Sequence, residues 1–328
     1  PGRKIVASKQ LYGGSITQFT QTFENFGWEA ELVDIHDLKA VGRAISEPEV
    51  AVLFAESLAN PDGTITDIEA LSKLARGAQI PLLIDNTMAT SVMCRPGEFG
   101  ADVVLYSTTK FMSGHGNALG GAVVDMGSFD WMNARHSSLL TDPNPAYHGI
   151  RFAETFGKLS YITFCHASVL RNLGPTMAPM NAFLTLTGIE TLPLRMERHC
   201  DNAEKAKDYL LSHNKVSNVI YPSAKEGVFL ERANTYLPTG KGSLLGFELK
   251  GGKDSGKKFI DSLNLFYHVA NIGDARSLAI HPATTTHSQL TPEEQLKTGV
   301  TDGYVRLSIG IEHIDDIIAD LDQALAKA

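Results

Sequence analysis

An α/β fold built on a mostly parallel sheet is what this sequence predicts, and three observations carry that expectation. Short β-branched runs alternate with helical patterns from Lys4 to Asp125, the mark of strands joined by crossover helices. The strand candidates end in polar residues, as strands do where an open α/β sheet gathers its ligands. Apolar residues make up 43 % of the 328 positions and charged residues 20 %, enough to fill a sizeable core. At roughly 150 residues per domain that length suggests about two domains.

Strands are predicted at Lys4–Ala7, Glu29–Val33, Ala51–Ala55, Pro81–Asp85, Asp102–Tyr106 and Gly120–Asp125. Between them, Ser15–Phe26 places Ile16, Phe19 and Phe23 on one helical face and stops at Gly27. Asp67–Ala78 groups Ile68, Leu71, Leu74 and Ala75, with Thr66 or Asp67 as the N-cap. Residues 126–160 are irregular and rich in Pro, Gly, Asn and His, the length at which a loop is usually functional. Helical periodicity returns at Leu159–Asn172 and runs through Met180–Ser212, with Gly188–Ser212 expected as one long helix. The remainder mixes a strand at Gly246–Leu249, a helix at Asp254–Leu263, a strand at Tyr304–Gly310 and a closing helix at Ile314–Ala326, a second and smaller α/β unit.

Charge excludes several classes of partner. The 29 Lys+Arg against 37 Asp+Glu leave a net charge of −8 with no basic stripe, which disfavours nucleic acid and anionic membranes. No apolar run approaches the roughly 18 residues of a membrane span. Cys94, Cys165 and Cys200 are odd in number and widely spaced, so they read as reduced thiols of a cytoplasmic protein, and no metal site is expected. The chain opens at Pro1-Gly2-Arg3 directly into a strand, as a fragment or a processed chain would.

Two motifs reduce to ordinary readings. Gly251 to Lys258 nearly spells a phosphate loop, but Lys258 stands where a Ser or Thr would hold magnesium, so a solvated turn is the favoured reading. Gly114-His115-Gly116 has Leu119 in place of the third glycine of a dinucleotide fingerprint. More informative is Ser107-Thr108-Thr109-Lys110, just past a buried strand and followed by glycines. Hydroxyls and exposed amides suit a phosphate monoester, and a lysine shielded from water can lose its proton and form an imine. Alone, the segment would read as a polar loop. Asp85 at the tip of the preceding strand changes the balance, because a buried carboxylate beside an imine-forming lysine is what keeps a pyridine nitrogen protonated.

Four segments carry a resemblance: Leu11-Tyr12-Gly13-Gly14-Ser15, Glu56 to Pro61, Ile84-Asp85-Asn86-Thr87 and Ser107 to Lys110. Together they resemble the Cys/Met-metabolism enzymes that use pyridoxal 5'-phosphate. Asn271 to Ser277, His281 to Leu290 and Val305 to Glu312 are most similar to the O-acetylhomoserine sulfhydrylase branch, as is the long 126–160 loop. The resemblance spans essentially the whole chain. It implies the type I, aspartate-aminotransferase-like fold, with a cofactor-binding large domain at 1–208 and a small C-terminal domain at 209–328. It further implies that Lys110 holds the cofactor as an imine and shuttles protons, and that Asp85 pairs with the pyridine nitrogen. Tyr12 would stack on the ring and help deprotonate the incoming amine, Ser107 and Thr109 would hold the phosphate, and Asn60 would contact the phenolic oxygen. Arg306 would clamp the substrate carboxylate through its planar fork, and Ser277 would line the same pocket.

The family carries a further N-terminal segment, with a tyrosine, an arginine and a glycine-rich turn for the phosphate, that does not precede Pro1. Gly14 stands where lyase relatives often have a cysteine. The activity implied is γ-replacement on O-acetyl-L-homoserine by sulfide or methanethiol, in a homo-oligomer assembled as a tetramer of two active-site dimers. The alternatives are cystathionine γ-synthase or γ-lyase activity with the same cofactor residues, and a non-catalytic fragment that keeps the fold.

Overall fold

The computed structural model describes residues 2–59, 63–289, 291, 293, 295 and 300–328. Six strands, β1 (Arg3–Ser8), β2 (Trp28–Val33), β3 (Val50–Glu56), β4 (Leu82–Asp85), β5 (Val103–Ser107) and β6 (Gly121–Asp125), form one sheet in the order β2-β1-β3-β4-β5-β6. All neighbours run parallel except β5 and β6. The expected strands are therefore present to within a residue or two at each end. Parallel pairing demands crossover helices, and these bury one face each. Helix α2 (Leu38–Ile45) buries Val41, Ala44 and Ile45, and Asp37 caps it by accepting from the amides of Lys39 and Ala40. Helix α3 (Ile68–Gly77) buries Ile68, Leu71, Ser72 and Ala75; of the two expected caps, Asp67 is the one used, accepting from Ala70 N.

Two helical expectations are corrected. The stretch after Tyr12 is an α-turn, α1 (Gly13–Thr17), that widens to π geometry at Gln18–Thr22 and tightens to 3₁₀ at Phe23–Phe26. Gly188–Ser212 is not one helix. Helix α4 (Pro179–Glu190) ends at Thr191 (φ −106°, ψ 4°), and α5 (Leu192–Ser212) begins there with a proline in its first turn, where a missing N–H costs nothing. A 3.6-residue pattern passes through such a break unmarked, because the apolar positions on both sides remain in phase.

A second sheet, ordered β7-β8-β11-β10-β9, comprises β7 (Val216–Ile220), β8 (Leu244–Leu249), β9 (Tyr267–His268), β10 (Leu278–Ile280) and β11 (Tyr304–Ser308). Its pairs are antiparallel apart from β9 with β10. Helix α5 joins the two units: Leu192, Met196 and Cys200 belong to the core of the first, and Ala203, Ala206 and Leu210 to that of the second. Residue 208 lies inside this helix. The long loop contains short helical turns around a small core of Leu140, Phe152 and Ala153, with Trp131 stacked on Tyr161 (centroids 4.8 Å apart).

One backbone position ties the two units together near the site. Gly273 has φ +74°, and a Cβ there would lie 2.7 Å from the amide nitrogen of the buried Phe111. Its own N–H donates to Ser308 Oγ of β11 (3.1 Å). The left-handed backbone and the close approach both require glycine. Gly273→Ala is expected to lower stability by about 2–4 kcal/mol, read as a lower denaturant midpoint at an unchanged m-value.

Candidate active site

Parallel strands bring their carboxyl ends to one edge, and the polar residues predicted there do meet. Glu56 of β3 lies in register with Asp85 of β4, and Asp85 with Leu105 of β5. Thr87 stitches the last two strands: its N–H donates to Asp85 Oδ1 (2.8 Å), and its hydroxyl accepts from Ser107 N–H (2.8 Å). Three residues further on, Lys110 donates its backbone N–H to Ser107 O (3.2 Å). From the next strand over, the fully buried chain end of β1 runs into Leu11 and Tyr12, whose N–H donates to the buried Glu56 Oε1 (2.6 Å). The Tyr12 ring is 57 % exposed and folds back over Gly14, where any Cβ would collide with it. A side chain at Gly14 would therefore require the Tyr12 ring to shift.

The second sheet completes the edge. Arg306 is half-buried in the middle of β11, and its charge reaches Lys110, His287 and Tyr12. Lys110 Nζ donates to Asn271 Oδ1 (2.6 Å), from the segment that leads into β10. Asn271, Thr87 and Glu56 are the residues that motif reasoning did not assign a task. Asn271 stood inside a quoted motif and Glu56 at a noted strand tip, but only three-dimensional proximity links them to Lys110 and Tyr12.

Two expected residues are placed differently. Ser277 is fully buried; its hydroxyl donates to Glu312 Oε2 (2.9 Å) and accepts from Gly310 N–H (2.8 Å), while its own N–H donates to Glu312 Oε1 (2.6 Å). With these bonds filled it braces the end of β11 and offers no free hydroxyl to a carboxylate. The Thr109 hydroxyl exchanges bonds with the backbone of Gly120, accepting from its N–H (3.1 Å) and donating to its O (3.3 Å). Ser107 remains half-buried at the strand tip. Asn60 lies outside the described residues. An apolar cavity of about 600 Å³ opens elsewhere, lined among others by Tyr106, Met112, Met177, Leu186 and Ile189, and includes neither Asp85, Lys110 nor Arg306.

The electrostatics suit a cationic ring. Burial raises the pKa of Asp85, opposed only by its bonds to Thr87, so a neighbouring positive charge would relieve an unfavourable carboxylate. Burial lowers the pKa of Lys110, and the charge of Arg306 lowers it further, which favours the neutral amine that attacks an aldehyde. The residues present therefore fit pyridoxal 5'-phosphate. Because the folded-state pKa of Asp85 is raised, its ionisation opposes folding, and the penalty grows as pH rises above the unfolded value of about 3.9. In the cofactor-free protein Asp85→Asn is accordingly expected to melt higher than the parent at neutral pH, with the advantage closing near pH 4; thermal melts across pH 4–8 would read it.

Comparison with known proteins places this edge in context. The family described as Cys/Met metabolism PLP-dependent enzyme matches residues 1–326. An O-acetyl-L-homoserine sulfhydrylase of Leptospira meyeri is 46 % identical over 333 residues, which cover 99 % of this chain and 75 % of the relative. Among solved structures, a Campylobacter jejuni protein assigned as an O-acetylhomoserine (thiol)-lyase superposes with a TM-score of 0.93 at 38 % identity, covering 99 % of this chain and 77 % of that one. That protein carries an N'-pyridoxyl-lysine-5'-monophosphate residue. A cystathionine γ-lyase of Lactobacillus plantarum, solved with L-serine, gives a TM-score of 0.81 at 30 % identity, covering 99 % of this chain and 76 % of that one. The type I fold and the dependence on pyridoxal 5'-phosphate follow, and the chain belongs to the family of Cys/Met metabolism PLP-dependent enzymes.

Proposed function

We propose that the protein catalyses γ-replacement on O-acetyl-L-homoserine: sulfide or methanethiol takes the place of acetate, giving L-homocysteine or methionine. One Cγ–O bond breaks, one Cγ–S bond forms, and the protons removed from the α and β carbons are both returned. The observation that carries this reading is the meeting of Asp85, Lys110 and Tyr12 at one sheet edge with Arg306 from the second sheet. The similarity to sulfhydrylases across nearly the whole chain supports the choice of substrate.

Pyridoxal 5'-phosphate, when bound, supplies an aldehyde for the substrate amine and a ring that withdraws charge from the α carbon. The chain's own residues do the rest. Asp85, extending from β4, holds a proton on the ring nitrogen through its carboxylate. Ser107 holds the phosphate, and Thr109 joins it by turning its hydroxyl from Gly120. Tyr12 covers the ring face and takes a proton from the incoming amine at its phenolic oxygen. Arg306 orients the substrate through its carboxylate with two parallel N–H bonds, which fixes which α bond faces the lysine. Lys110 Nζ, whose pKa is lowered by burial and by the charge of Arg306, removes and returns protons on that face.

Residues 1–208 act in this reading as the cofactor-binding domain and 209–328 as the substrate-facing small domain. The assembly is a homotetramer built from two active-site dimers, and its compartment is the cytoplasm. Among the described residues no helix is long and apolar enough to cross a membrane.

The direct test offers O-acetylhomoserine with sulfide, with cysteine, or alone. Homocysteine formed only with sulfide supports the reading; cystathionine, or keto acid and ammonia without a nucleophile, would replace it with a synthase or lyase activity. Lys110→Ala is expected to abolish both turnover and the visible absorbance of the bound cofactor, and survival of that band would overturn the assignment of Lys110. Arg306→Ala should cut kcat/KM roughly 10- to 100-fold, mostly through KM, as the loss of a charge-assisted bond pair would.

A further inference from the structure

Lys110 has to do two things that its side chain alone cannot guarantee. It must approach the cofactor as a neutral amine, and once the substrate amine has taken its place it must stay within reach of the α carbon. A lysine stem has four rotatable bonds, so a released amine wanders unless something receives it. The polar atom that receives it here is the side-chain oxygen of Asn271, 2.6 Å from Nζ.

Asn271 is itself tightly held. Two residues on, Gly273 is pressed against Phe111, the neighbour of Lys110, and its N–H is bonded to Ser308 of β11. Ala275 N–H donates to Gly114 O (2.8 Å), and Asp274 lies against Gly116. The segment 273–275, two residues beyond Asn271, is therefore held against the lysine loop. It originates in the second unit, the one that also carries Arg306, so the amine and the arginine share one rigid support. We propose that Asn271 is a positioning residue for this reaction: its Oδ1 receives the ε-amine of Lys110 whenever that amine is free, and holds it on the substrate's reacting face.

This rests on the role given to Lys110 above. Among the described residues, Arg306 on β11 is the charge that acts on the amine; Tyr12 acts in turn on Arg306, and Asp274, paired with Arg276 and facing His115, lies beside the lysine loop. An acceptor on Nζ favours the protonated amine, and its removal favours the neutral one.

The test measures the amine directly. In the cofactor-free full chain, the rate at which an amine-reactive reagent labels Lys110 is followed against pH, with the site read by peptide mass spectrometry. Asn271→Ala should move the labelling midpoint down by about half a unit to one unit, the scale of a single hydrogen bond. Asn271→Asp, which sets a negative charge on the same oxygen, should move it up. In the cofactor-loaded enzyme Asn271→Ala should lower kcat about 10-fold, as loss of one well-placed group does, with KM changed less than twofold. Midpoints that stay with the parent in both variants would overturn the proposal. If Lys110→Ala abolishes the cofactor band while these midpoints do not move, the general reading stands and this inference alone fails.

Discussion

Glu56, Asp85 and Leu105 face one another across three parallel strands, and because side chains alternate, a slip of one residue in any strand would turn its tip to the other side of the sheet. Everything chemical in the molecule inherits that register. Thr87 reports it most directly, with one bond backward to Asp85 and one sideways to Ser107. These bonds set Asp85 and the lysine-bearing turn beside each other. The buried apolar run behind them, Leu53, Leu82, Ile84, Val103 and Val104, makes slippage costly, since the shifted side chains would no longer fit the neighbours packed on each face.

The edge concentrates charges that the fold alone does not reward. Asp85 is penalised by burial, and Lys110 is pushed toward neutrality by burial and by Arg306. A site built only for stability would hold none of these. In the proposed reading a cationic ring would answer the carboxylate, an aldehyde the amine, and a substrate carboxylate the guanidinium, so each group would be matched to one part of the reacting assembly. Such preorganisation places the cost in folding and leaves little reorganisation for the reaction.

Arg306 reaches this edge by a different route. It sits on an antiparallel strand, opposite Gly246 of β8 and Ile280 of β10. Ser277, Gly310 and Glu312 lock the turn at the end of that strand, and the segment from Asn271 to Ala275 bridges to the lysine loop. The second unit is thus a frame that delivers one arginine and one asparagine to positions defined by the first.

Periodicity and local chemistry in the chain were sufficient for the strands, the cap at Asp67 and the polar strand ends at Asp85 and Ser107, because these depend on neighbours a few residues apart. The joint motifs extended this to the cofactor. The break at Thr191 escaped, since two helices in phase look like one, and so did the changing pitch after Tyr12. Tertiary structure alone decided that Asn271 receives the Lys110 amine across 161 positions, that Glu56 holds the backbone of Tyr12 across 44, and that Ser277 spends its hydroxyl on Glu312. A hydrogen bond depends on ångströms between side chains brought together by folding, and no spacing along the chain encodes that distance.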